Sequence, residues 1–175
     1  IVLMGGDNPE SLKDVWRSTD QGATWIQMTD DAPWLRRDGH TSVVLSDGSI
    51  VLMGGWVWDI GTKNDVWRST DQGATWTQMT DSAEWARRIS HSSVALPDDS
   101  IVLMGSTFSN DVWRSTNQGA TWTQMTNSAE WTRRVSHSSV ALPDGSIVLM
   151  GGKHDISYLN DGDKVGDTDA YIIYV

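Results

Sequence analysis

Cysteine is absent from this 175-residue chain, which excludes disulfide bonds, zinc–thiolate sites, iron–sulfur clusters and cysteine nucleophiles. No apolar run approaches the length of a membrane-spanning helix, so none is predicted. Glutamate and lysine, which favour helices, number only 3 and 4, whereas aspartate, glycine and tryptophan number 20, 16 and 11. The net charge of −10 argues against nucleic acid or an anionic membrane surface as a partner. This composition predicts strands and tight turns, with little helix.

Internal repeats run through the chain. The run IVLMG occurs four times and the run DVWRST three times, beginning at Ile1, Ile50, Ile101 and Ile147 and at Asp14, Asp65 and Asp111. The segment 65–101 aligns without gaps with 111–147, and 32 of 37 positions are identical. Each DVW lies 36 residues before the next IVLM, whereas the distance from IVLM to the following DVW varies between 10 and 15 residues. One connection in each repeat therefore varies in length.

Each repeat predicts four short strands, called the first to the fourth strand below. SVVL and SIVLMGG, joined by an Asp-Gly turn, predict a hairpin of two strands buried on both faces. DVWRS and TWTQM alternate apolar and polar residues, as half-buried strands do. With Asp169 taken as the counterpart of the DVW aspartate, the chain holds fourteen strands in groups of three, four, four and three. We treat it as one domain, 1–175, with repeat segments 1–35, 36–81, 82–127 and 128–175.

The repeated pattern R-x-x-H-S-S-V-A-L-P-D-G-S-I-V-L-M-G-G, followed by D-V-W and T-W, resembles a kelch repeat of the galactose-oxidase-like type. The double glycine ends the second strand, and aromatic residues lie in the third and fourth. The resemblance covers nearly the whole chain. It implies an all-β fold, a β-propeller of four-stranded antiparallel blades, of which this chain would hold about three and a half to four.

The turn between the third and fourth strands resembles the Asp-box, or BNR repeat, S/T-x-D-x-G-x-T-W, known from sialidase-like propellers. Residues 18–25 and 69–76 match it, and residues 115–122 carry asparagine in place of the aspartate. A short carboxylate can accept hydrogen bonds from the following turn, and glycine allows a positive φ. We therefore predict a structural role for Asp20, Gly22, Trp25, Asp71, Gly73, Trp76, Asn117, Gly119 and Trp122.

One histidine and one arginine pair precede the first strand of each repeat. The histidines His40, His91 and His137 could bind a metal near a propeller axis, but their identical local motif favours one hydrogen bond repeated within each blade. Sialidases hold a substrate carboxylate with three arginines, yet the motif of those arginines is not matched here. Salt bridges between blades are the favoured interpretation of Arg36-Arg37, Arg87-Arg88 and Arg133-Arg134.

Ligand contacts are predicted on one face of the propeller. In a four-stranded meander the second-to-third and fourth-to-first connections lie on the same face, and the variable loops are among them. The ligand-binding candidates there are Trp34, Trp56, Trp58, Trp85, Phe108, Trp131, His154 and Tyr158. For Trp34, Trp85 and Trp131 the alternative is packing against the adjacent blade.

The acidic stretch near the C-terminus contains candidate ligands for a calcium ion. Oxygen ligands at alternating positions suit this ion, and the candidates are Asp161, Asp163, Asp167 and Asp169. The terminal glutamate of a calcium-binding loop is missing, so a solvated acidic loop is the favoured interpretation. No other cofactor is predicted.

Three functions remain open. The favoured one is a non-catalytic scaffold that binds a protein or glycan, secreted or on the cell surface as the resemblance implies, because near-identical blades repeat the same residues while catalysis needs an asymmetric arrangement. A sialidase-like glycoside hydrolase or carbohydrate-binding propeller is the second. The third is a self-assembling structural module. A ring of six to eight blades would need about 280 to 400 residues, so we expect further sequence or another copy to complete it.

Overall fold

The computed structural model describes residues 1–7, 12–153 and 170–173. Within these residues the chain forms fourteen strands and no helix. The strands are β1 Val2–Gly6, β2 Leu12–Arg17, β3 Ile26–Thr29, β4 Thr41–Val44, β5 Ile50–Val57, β6 Gly61–Ser69, β7 Thr77–Thr80, β8 Ser92–Ala95, β9 Ile101–Ser106, β10 Ser109–Ser115, β11 Thr123–Thr126, β12 Ser138–Ala141, β13 Ile147–Met150 and β14 Ala170–Ile173.

The strands form four antiparallel sheets in chain order. Sheet 1 contains β1–β3, sheet 2 contains β4–β7, sheet 3 contains β8–β11, and sheet 4 contains β12–β14. Each strand pairs with the next one in the chain, so every sheet is an open meander. The predicted all-β antiparallel fold is therefore confirmed, as is the grouping of strands into three, four, four and three.

The register of the second and third strands is the same in every sheet. Leu52 pairs with Trp67 in sheet 2, as Leu103 pairs with Trp113 in sheet 3. In sheet 4 the partner of Leu149 is Tyr171, which makes β14 a third strand. This register supports the alignment of Asp169 with the aspartate of DVW.

The double glycine marks a bulge at the end of the second strand. In β5 the pairing with β6 shifts between Met53 and Gly55. Gly55 has a φ of 100°, and a Cβ placed there would lie 2.7 Å from the carbonyl oxygen of Asp38. Only glycine leaves room for the backbone of Asp38, in the connection between β3 and β4, to come this close to β5. The β5–β6 hairpin and that connection therefore lie next to each other.

The hydrophobic core lies between consecutive sheets. Ile50 and Leu52 of β5 belong to a cluster shared with sheet 1, whereas Val51 and Met53 belong to a cluster shared with sheet 3. A strand alternates its side chains between two faces, so β5 is buried on both, as predicted for the second strand. A third cluster joins sheets 3 and 4 in the same way.

The first strand differs from its prediction. Val43 of β4 is buried, but Val44 is exposed to solvent. The prediction of burial on both faces is wrong for this strand, because sheet 1 contains only β1–β3 and offers no first strand to cover the face that carries Val44. The next first strand, β8, packs Ala95 against one cluster and Val94 into the other. Consecutive first strands lie side by side, and Ser90 N–H donates to the Gly39 carbonyl at 2.9 Å, as Ser136 N–H does to Ser90 at 3.0 Å.

Candidate functional site

The second-to-third and fourth-to-first connections meet on one face, called the loop face here. Trp56, at the end of β5, exchanges two backbone hydrogen bonds with Asp38 of the connection before β4, at 2.8 and 3.1 Å. Lys63 pairs with Arg88, and Val135 with Lys153, in isolated bridges of the same kind. These contacts place the variable hairpins beside the arginine-bearing connections, as the meander argument predicts.

Two aromatic side chains project from the loop face. Trp58, in the β5–β6 hairpin, is 72% exposed, and Phe108, in the β9–β10 hairpin, is 82% exposed. Trp56 is partly covered, with 38% of its surface exposed. Exposed aromatic side chains supply large apolar contact areas when a partner binds. The remaining hairpin candidates, His154 and Tyr158, lie outside the described residues, as do the calcium candidates Asp161, Asp163, Asp167 and Asp169.

A shallow groove of about 550 Å³ lies beside Phe108. Its polar lining includes Asn127, Glu130 and Arg133, from the connection that follows β11. The amide of Asn110 fixes this connection, because its Nδ2 donates to the carbonyls of Ala129 and Trp131 at 2.7 and 3.1 Å. Asn127 and Glu130 were not among the predicted residues, and Arg133 was predicted to form a salt bridge rather than to line a groove. Their closeness in the sequence to Trp131, a predicted ligand-binding residue, could have identified them as groove residues.

Trp34, Trp85 and Trp131 lie inside the protein. Their exposed fractions are 1%, 1% and 3%. Trp34 meets Trp76 of the next sheet edge to face, with ring centroids 6.1 Å apart, and Trp85 meets Trp122 at 5.9 Å. This geometry agrees with the packing interpretation of the three tryptophans. Their side chains are too deeply buried to contact a ligand at the surface.

In the first two arginine pairs, the second arginine forms a buried clamp. The guanidinium of Arg37 pairs with Asp65, and that of Arg88 with Asp111. The backbone of Arg37 is bonded to Gly6 and Leu12 of sheet 1, so its side chain joins sheet 1 to sheet 2. Salt bridges between repeat units are predicted, but each ion pair lies within one repeat segment, 36–81 or 82–127, and the link to the preceding sheet comes from the arginine backbone. The first arginine of each pair, in contrast, is exposed.

The electrostatics of this clamp favour the ionised pair. Burial raises the pKa of Asp65, but the hydrogen bonds and positive charge of Arg37 outweigh it and hold that pKa below its usual range. The same balance lowers the pKa of Asp111 beside Arg88. Both carboxylates are committed to the scaffold, and neither is available for a ligand.

The histidines bond across sheets rather than within them. His91 Nε2 lies 2.9 Å from Thr41 Oγ1 of the preceding sheet, and His137 Nε2 lies 2.7 Å from Ser92 Oγ. The prediction of a bond within each repeat is therefore wrong, because the first strands lie side by side. Burial first, and then the charge of Arg88, lowers the pKa of His91 well below its usual range. In the described part of the chain, no group of three or more metal-ligating side chains occurs.

The Asp-box turns contain the predicted hydrogen bonds. Asp71 accepts from the backbone N–H of Thr75 at 2.8 Å and from its hydroxyl at 2.6 Å. Asp20 makes the same bonds with Thr24, and these bonds, the side-chain one first, lower its pKa to about 2. Asn117 replaces the aspartate with matching geometry.

In the second and third of the turns that resemble the Asp-box, the glycine and the tryptophan belong to the contact between sheets. A Cβ on Gly73 would lie 2.6 Å from Cγ1 of Val15 in the preceding sheet. Trp76 Nε1 donates to the Gly73 carbonyl at 3.1 Å, which fixes the indole ring against that sheet. Gly119 and Trp122 repeat the arrangement one sheet later.

Among the described residues, Asp38 is the carboxyl group whose pKa is raised. Burial is the main cause, and the charge of Asp7 adds to it. Asp38 lies on the loop face beside Trp56, and the sequence argument did not single it out. A raised pKa favours the protonated form of a carboxyl group, the form that a general acid needs.

Comparison with known proteins does not identify the chain: no family model matches it, and no curated protein matches it. The described residues include no helix long and apolar enough to cross a membrane.

Proposed function

We propose that the chain is a non-catalytic β-propeller segment of the kelch and Asp-box type, in which the four sheets are blades. The proposal is supported by the repeated meanders, by the adjacent first strands β4, β8 and β12, and by equivalent contacts at each step between sheets. Radial repetition of four-stranded meanders is the propeller architecture. The kelch and Asp-box motifs give the same strand register.

The segment acts as a binding scaffold through its loop face. The observation that carries this proposal is the exposed ring of Phe108 beside a groove with amide, carboxylate and guanidinium groups, from Asn127, Glu130 and Arg133. An aromatic face with a few polar groups around it suits a sugar ring, which has apolar C–H faces and many hydroxyls. A glycan is therefore the favoured ligand, and a protein surface is the alternative.

A scaffold role is favoured over catalysis because the two buried charged pairs are committed to holding the fold together. The Arg37–Asp65 and Arg88–Asp111 pairs are buried between sheets. The alternative, a sialidase-like glycoside hydrolase, gains one supporting observation in the raised pKa of Asp38. The resemblance to kelch and Asp-box proteins favours an exported or cell-surface location. The net charge of −10 disfavours nucleic acid as a partner.

Binding to a glycan array, followed by calorimetry with the best sugar, tests the proposal. Phe108→Ala should weaken binding by about tenfold or more, because it removes the aromatic platform. Ile26→Ala is the matched control, since Ile26 is 65% exposed but lies on β3. Full-strength binding by the Phe108 variant, or an array without hits, would count against a glycan site there.

A panel of aryl glycosides separates binding from catalysis. A scaffold releases no sugar from any of them. Release that disappears in Asp38→Asn would establish the hydrolase alternative instead.

A further inference from the structure

Sheet 1 exposes a face that is buried in sheets 2 and 3. This leading face includes Leu3 and Trp25. Leu3 is 53% exposed, whereas its counterparts, Leu52 and Leu103, are fully buried. Trp25 is 38% exposed, compared with 8% and 5% for its counterparts Trp76 and Trp122. The same residue types at the same positions are therefore covered in two sheets and open in the third.

Sheet 4 exposes the opposite face. This trailing face includes Val140, Leu142 and Met150. Val140 is 45% exposed, whereas its counterparts, Val43 and Val94, are 7% and 6% exposed. Leu142 and Met150 are likewise exposed where the counterparts in sheets 2 and 3 are buried.

The contacts between sheets 2 and 3 show what covers each face. There the trailing face of one sheet packs on the leading face of the next. The ring of Trp85 meets that of Trp122, and the carboxylate of Glu84 accepts a hydrogen bond from Trp122 N–H at 3.0 Å. Gly119 fits against Val66 in the same interface. The two open faces are thus the two halves of an interface that the chain already forms.

We propose that the trailing face of one copy of this chain binds the leading face of a second copy, head to tail. In this contact Leu3 and Trp25 of the second copy pack against Val140, Leu142 and Met150, the exposed apolar residues of the trailing face. A head-to-tail contact either closes into a ring or extends into a chain of copies. The proposal goes beyond ligand binding and does not depend on it, since the Phe108 groove lies on the loop face.

Ionic strength should modulate the association. Each copy carries a net charge of −10, so two copies repel each other, while the proposed contact is mainly apolar. Added salt screens this repulsion and should strengthen the association. An interface held mainly by ion pairs would weaken with salt instead.

Light scattering coupled to size-exclusion chromatography, over about 1 to 200 µM protein, tests the proposal. The expected mass is two copies or a larger whole number of copies. Val140→Asp and Leu3→Asp should each abolish association, because each places a charge in one half of the apolar contact. Ile26→Asp is the control, since this position is exposed in every complete repeat and should leave the mass unchanged.

Mixing the two variants tests directly whether a leading face binds a trailing face. Val140→Asp keeps an intact leading face, and Leu3→Asp keeps an intact trailing face, so together they should form a one-to-one complex that grows no further. A monomer at every concentration, or full association by either variant alone, would overturn the proposal. Circular dichroism of each variant shows that the exposed substitutions leave the fold in place.

Discussion

The guanidinium of Arg37 forms two parallel hydrogen bonds with the carboxylate of Asp65, at 2.7 and 2.8 Å, in a buried site. Nη1 of Arg37 also donates a hydrogen bond to the backbone carbonyl of Gly54, at 2.9 Å. Because the Arg37 backbone is bonded to sheet 1, this pair fixes the position of sheet 2 against its neighbour. Arg88 and Asp111 repeat the relationship between sheets 2 and 3.

Loss of one charge from this pair should be strongly destabilising. Asp65→Asn leaves a buried guanidinium without its counter-ion, and we expect the free energy of unfolding in urea to fall by about 3 kcal/mol or more. The control is Asp47→Asn, which breaks the more exposed pair with Arg68 and should be much less destabilising, because solvent screens that pair. Equal effects of the two substitutions would show that the buried pair has no special role.

Stability should decrease as the pH falls from about 6.5 to about 4. Burial first, and then the charge of a neighbouring arginine, lowers the pKa of both His40 and His137 to about 4. An unfolded histidine titrates near pH 6.5, so in this window the unfolded chain binds more protons than the folded one. Between about pH 7 and pH 4.5 we expect a loss of about 2–3 kcal/mol for each histidine.

Urea unfolding at several pH values measures this loss. His137→Gln keeps a polar group near Ser92 but removes one titration, so its stability should depend less steeply on pH in this window. The lowered pKa of Asp65 also stabilises the folded protein, fully above about pH 4 and less below it. It therefore does not affect the comparison of the parent protein with the His137 variant in this window. An unchanged slope in the histidine variant would refute the assignment.

The Asp-box aspartate should be replaceable by asparagine but not by alanine. Asp71→Ala removes the acceptor for the backbone and hydroxyl of Thr75, and we expect a loss of about 1–2 kcal/mol in urea unfolding. Asp71→Asn should cost less than about 0.5 kcal/mol, because Asn117 makes the same turn one repeat later. A large effect of the asparagine substitution would mean that the negative charge itself is required.

Two glycines with the same backbone conformation should respond differently to alanine. Gly22 and Gly73 have φ values of 96° and 97°, so alanine should strain the backbone equally at the two positions. A Cβ on Gly73 would collide with Val15, whereas the nearest atom to one on Gly22 lies at 3.8 Å. Gly73→Ala should therefore be more destabilising by about 1–3 kcal/mol in dilute protein. Similar losses would argue against tight packing between the sheets.

Much of the strand arrangement was predictable from the repeats. The invariant spacing of IVLMG and DVW predicted the strands of each meander, and the turn motifs predicted the bonds of Asp71. The exposure of Trp58 and Phe108 fits their position in hairpins that vary between repeats. Burial on both sides of β4 was wrongly predicted, because an apolar run does not reveal whether a neighbouring first strand covers each face.

By itself, the sequence determined what depends on neighbours in the chain, namely the strand order, the turn hydrogen bonds and the double glycine at the end of the second strand. Only the tertiary structure decided which arginine of each pair is buried and where each histidine bonds. Arg37 meets a carboxylate 28 positions away, and His91 meets a hydroxyl 50 positions away. Adjacent arginines have the same local chemistry, so only the packing of one sheet on the next distinguishes them.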